Sequence, residues 1–97
     1  MEAVKKHLDL LGHLVEDKVT GFKGIVASIN FELYGCIQAV VNPGVDKDGN
    51  IRDSRWFDVN RLRVLSSSPV MNVPNFGQLT TANGDQGADE KPLFDKP

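Results

Sequence analysis

The sequence predicts a small all-β domain: a five-stranded antiparallel barrel with a short N-terminal helix before it and a flexible tail after it. Three observations predict this. Five short runs rich in apolar or β-branched residues lie between His13 and Leu65. Turn residues punctuate them, with Gly21, Gly24, Gly35, Pro43, Gly44 and Gly49 each falling between runs. The chain has 97 residues, 40% of them hydrophobic, which allows one domain with a modest core. Closure into a barrel would remove the exposed edges that a small sheet must otherwise protect.

The elements follow in order. Residues 2–11, EAVKKHLDLL, suit a short helix, with Val4, Leu8 and Leu11 on one face and His7 beside them. Gly12 is a natural stop. A helix this short needs a surface to pack on, and the adjacent Leu10 and Leu11 equally permit an extended arm. His13 to Thr20 reads as a short strand and turn, and Gly21-Phe22-Lys23-Gly24 punctuates it. Ile25 to Phe31 is the clearest strand, with Ile25, Ala27, Ile29 and Phe31 on one face and Val26, Ser28 and Asn30 on the other. Glu32 to Gly35 is a turn, and Cys36 to Val41 the next strand, in which the single cysteine, Cys36, is expected to be a buried thiol. Arg55 to Val59 returns as a strand. Asn60 turns the chain, and Arg61 to Leu65 closes the pattern with Leu62 and Val64 facing in and Arg61 and Arg63 facing water. The expected organisation is therefore a helix or arm over 1–12, the barrel over 13–66 and an extended, largely disordered acidic tail over 67–97. Within that tail, Val70, Met71, Val73 and Phe76 fit a groove of the barrel or of a partner.

The stretch VDKDGNIRD, residues 45–53, admits two readings. Asp46, Asp48 and Asn50 occupy the first, third and fifth positions of an EF-hand loop. Ile51 then stands where that loop needs glycine, and Phe57 where it needs a bidentate glutamate. The hairpin reading uses every residue: Asp48-Gly49 fits the two central positions of a type I′ turn. On that reading a side chain at Gly49 is destabilising and the loss of the Asp46 carboxylate changes little.

Charge and motif content narrow the function. The formal charge of −2 resides after Leu65, because residues 1–65 hold as many Lys and Arg as Asp and Glu. A neutral body offers little field to attract nucleic acid. There is no long apolar stretch and no cleavage signal, so neither a membrane span nor a secretory peptide is expected, and a reducing cytoplasmic setting fits the lone cysteine. His7 and His13 lie outside zinc-binding spacing, even with Glu16 or Asp17 to complete a set. No phosphate loop, nucleophile elbow or paired carboxylates can be read, so no catalytic residue, cofactor or metal is expected.

The strings TGFKGIV, LYGCIQAVV and RWFDVNRL, within residues 12–65, carry a resemblance. Their order, with a glycine-bounded turn before the long strand and a short turn before the last, resembles SH3-like barrels of the KOW and Tudor type. More narrowly, the strings look like the small SH3-like proteins encoded by bacterial mobile gene cassettes and phages. The resemblance implies a fold and a genomic setting and no activity. The neutral body departs from the basic, RNA-binding KOW modules.

The aromatics suggest a surface. Trp56 and Phe57 are adjacent, so in a strand they point to opposite faces, and both cannot enter one small core. Phe22 and Tyr34 are placed to approach them at a barrel rim. Phe22, Tyr34, Trp56 and Phe57 thus form the candidate interaction surface of a noncatalytic protein-interaction module that self-associates, a dimer being favoured, or that takes an unidentified protein or peptide. The alternative is a nucleic-acid-binding module using Lys18, Lys23, Arg52, Arg55, Arg61 and Arg63, with a ring beside them to stack a base.

Overall fold

The computed structural model describes residues 2–76. The expectation of a disordered acidic tail lies, from residue 77 onward, outside the described residues. The chain forms α1 (Glu2–Leu8), β1 (Leu14–Asp17), β2 (Lys23–Phe31), β3 (Ile37–Asn42), β4 (Arg55–Asp58), a 3-10 turn (Val59–Arg61) and β5 (Leu62–Val64). All pairings are antiparallel, in the order β4-β3-β2-β1-β5. Among the described residues no ladder joins β4 to β5, so the expected closed barrel is instead one open five-stranded sheet. The 3-10 turn re-aims the chain between those strands. With four and three residues they offer few rungs for a closing ladder.

The helix ends earlier than its apolar spacing predicts. After Leu8 the chain tightens into bonds three residues apart, Leu10 N–H donating to His7 O and Leu11 N–H to Leu8 O. Gly12 stops it with φ of 82°, a conformation costly for any side chain. Its N–H donates to Val26 O and its carbonyl accepts from Val70 N–H, both at 2.9 Å. Gly12 therefore fastens both β2 and the segment after β5. A Cβ there would stand 2.8 Å from Pro69 Cβ, so that segment crosses directly over the glycine.

The core is Val15, Val26, Ala39, Val41 and Phe57, with Leu10, Leu11, Phe22, Ile29, Val59 and Leu62 packed against it. Strict alternation along β2 would place Ile25, Ala27 and Ile29 together. A β-bulge between Val26 and Ser28 breaks the alternation: Val26 pairs with Val41, but Ile29 pairs with Ala39. The extra residue, Ala27, is exposed, and Val26 and Ile29 serve the core together. Phe31 at the strand end is exposed and meets His7 of α1 edge-on, with ring centroids 6.1 Å apart.

Three further expectations are corrected. Cys36 is exposed, because β3 starts at Ile37 and Cys36 still belongs to the turn, its carbonyl accepting from Glu32 N–H. Val64 shares a face with buried Val15, its partner across the ladder, yet stays 46% exposed because β5 is an edge strand with no neighbour beyond it among the described residues. The hairpin after β3 exists, bridged by Val45 and Ile51, but its turn is not centred on Asp48-Gly49. Gly49 N–H donates to Asp46 O, and Asp46 N–H to Asn50 O. This is a three-residue loop in which Gly49, at φ of 84°, is the bulge residue after a turn centred on Lys47 and Asp48. The Asp46 carboxylate selects it: Oδ1 accepts from the amides of Asp48 and Asn50, both at 2.9 Å. An oxygen that a calcium site would need is thus already engaged.

Candidate interaction surface

The two aromatic neighbours of β4 part as alternation requires. Phe57 stands opposite Ala39 and is 8% exposed; Trp56 stands opposite Val40 on the other face and is 57% exposed. Val40 in turn lies opposite Ser28, so Trp56 begins a row that crosses the outer face of β4, β3 and β2.

The rest of the expected aromatic set does not join it. Phe22 packs on Phe57, ring centroids 5.3 Å apart, and belongs to the inner side. Tyr34 is 90% exposed, but it rides with Leu33 on the turn between β2 and β3, outside the β3–β4 ladder. The four residues are therefore two core rings, one outer-face ring and one turn ring.

The basic set is also redistributed. Arg61, expected to face water, reaches the wholly buried Asp17 in β1. Its Nε donates to Oδ1 at 2.8 Å and its Nη2 to Oδ2 at 2.7 Å, the bidentate fork that a guanidinium allows. Its Cζ also sits 5.4 Å from the Phe57 ring centroid. Thr20 completes the cage, donating to Asp17 from both its amide and its hydroxyl. The Arg61 guanidinium holds the Asp17 carboxyl well below the usual carboxylate range; burial opposes this and the Thr20 hydrogen bonds assist it. Asp17 in turn raises Arg61. One feature of the sequence points to this pair: Asp17 and Val15 share parity, so an inward Val15 places the carboxylate inward as well.

Arg63 lies 3.7 Å from Glu16 across the β1–β5 ladder, and Arg52 donates to Pro43 O at 2.6 Å. Lys18, Lys23 and Arg55 are exposed. Among the described residues, no three His, Cys, Asp or Glu side chains cluster as a metal set, and no helix is long and apolar enough to cross a membrane.

Residues 66–76 run back over the body. Ser66 Oγ accepts from Leu14 N–H at 3.0 Å, and Val70 is tied to Gly12. Val73, Pro74 and Phe76 line two apolar cavities: one of about 600 Å³ against α1, with Val4 and Leu8, and one of about 410 Å³ against β2, with Ile25 and Ala27. The segment thus borders open space against the body, and Val70 and Met71 stay exposed. No protein-family model, no curated protein and no solved structure matches the chain.

Proposed function

We propose that the chain is a noncatalytic protein-interaction module on an SH3-like frame, and that it associates with copies of itself. The frame reading is supported by the strand order and by the 3-10 turn between the last two strands. The observation that carries the interaction reading is Trp56. A 57% exposed indole in an edge strand leaves a large apolar surface in water, in a body whose core holds five buried apolar side chains among the described residues. Tryptophan is the residue type most often found dominating an interface.

The test is light scattering across a concentration series, read together with Trp56 emission, which is unambiguous because the chain has one tryptophan. Association with a blue shift at rising concentration is expected. Trp56→Ala should keep the strand spectrum and cooperative unfolding but weaken association by roughly 30-fold, the equivalent of about 2 kcal/mol. A chain that stays monomeric into the millimolar range overturns self-association.

The nucleic-acid reading has less support. Arg61 is committed to Asp17, and Arg63 and Arg52 have partners within the chain. Titration of short oligonucleotides at low salt tests it, with an affinity that falls steeply as salt rises as the supporting result.

A further inference from the structure

Resting on that reading, we propose how the second copy docks: it adds itself antiparallel to the free edge of β4, about a two-fold axis normal to the sheet, with Trp56 directly opposite the partner's Trp56.

The edge is available. β4 is laddered to β3 on one side, and among the described residues no backbone hydrogen bond reaches residues 54–58 from the other. An unpaired strand edge is a template for another strand, and a two-fold contact uses the same patch on both copies. Symmetry then restricts the register. Residues opposite each other in an antiparallel pair point to the same face, and a two-fold normal to the sheet keeps each residue on its own face. Any residue must therefore pair with one of the same parity. The register that would match β4 end to end, Arg55 with Asp58, is excluded, since these two residues point to opposite faces.

Among the allowed registers, charge and backbone choose. Pairing about Arg55 sets two like charges against each other. Pairing about Phe57 would draw in Val59 and Asn60, which are in the 3-10 turn, and would set the Trp56 ring against the Asp58 carboxylate. Pairing about Trp56 uses residues 54–58 only. It places Ser54 opposite the partner's Asp58 and Arg55 opposite the partner's Phe57, with no like charges opposed, and covers both exposed indoles. The β5 edge is the poorer template: its three residues pair fully only with Arg63 opposite Arg63.

The register is tested by cross-linking in a Cys36→Ser background, which removes the exposed native thiol. Directly opposed residues have Cα atoms roughly 4.5–5.5 Å apart, within disulfide range. Ser54→Cys with Asp58→Cys in one chain should therefore give covalent dimers on mild oxidation. Either substitution alone should not, since like positions lie about 13 Å apart along the strands in this register. Light scattering on the same samples separates the two levels of inference. Association without cross-linking in the double variant, or equal cross-linking by a single variant, overturns the β4 pairing and leaves self-association standing. A monomer at every concentration overturns both.

Discussion

At the β5 edge, the chain reaches back from the 3-10 turn so that Arg61 grips the buried Asp17 of β1, and Lys18 N–H donates to Arg61 O at 2.7 Å. At the β4 edge, no described element lies hydrogen-bonded against the strand, and an indole stands half out of the sheet. Both edges belong to short strands of the same sheet. One end of the sheet is fastened at the β1–β5 seam, where a side-chain clamp extends the backbone ladder; at the other, no described element fastens β4 beyond its ladder to β3. The difference teaches where stability and recognition separate in so small a body. The polar network that reinforces the β1–β5 seam sits at one end of the sheet, and the exposed ring proposed to meet another chain sits at the other.

The largest effect should come from breaking the clamp. Asp17→Ala leaves the Arg61 guanidinium without its carboxylate and Thr20 without its acceptor, and should lower Tm by more than about 10 °C or abolish cooperative unfolding. The clamp also sets a pH dependence. The folded Asp17 carboxyl is held below its ordinary value of 3.8, so its contribution is fully present above that pH and is lost as pH falls toward the folded value. Thermal melts should show stability declining below about pH 4. If Asp17→Asn retains the wild-type acid limb, the clamp is not its source.

A paired substitution sharpens the contrast between faces at one edge. Phe57→Ala should cost about 3 kcal/mol of folding stability through lost burial and a cavity between Phe22 and Ala39. Trp56→Ala, one residue away, should cost under about 1 kcal/mol of folding stability while weakening self-association by the roughly 30-fold given above. Equal losses in urea unfolding would place the indole in the core and break the comparison.

The hairpin leading into β4 should respond more mildly. Gly49→Val meets no steric neighbour but forces a β-branched residue into positive φ, for about 1–2 kcal/mol in denaturant unfolding. Asp46→Ala, expected from sequence to change little, should instead lower Tm by about 2–4 °C, because two loop amides lose their acceptor. The smallest effect should be that of Arg63→Ala at the β5 edge, within about 0.5 kcal/mol, since its ion pair with Glu16 is long and solvated. A larger loss would mean that surface pairs help the clamp hold that edge.

Much of this fold is legible in the residues because it rests on short-range rules. The glycine turns, the β-branched runs and the opposed parity of Trp56 and Phe57 depend only on local geometry. They predict five antiparallel strands, a short leading helix and one exposed ring of the Trp56–Phe57 pair, and the structure has all of these. What the sequence left open, or led one to misplace, depends on which strands meet and at what offset. The bulge at Ala27 moves Ile29 onto the face of Val26, and no alternation rule sees an extra residue before the partner strand is known. Cys36 is exposed because β3 starts one residue later than its apolar run. Arg61 is only partly solvent-facing because a carboxylate 44 positions earlier is carried to it by the β1–β5 ladder. Closure, too, was decided in three dimensions. Whether two edge strands meet depends on the summed twist and length of every strand between them, a quantity that no single stretch of sequence contains.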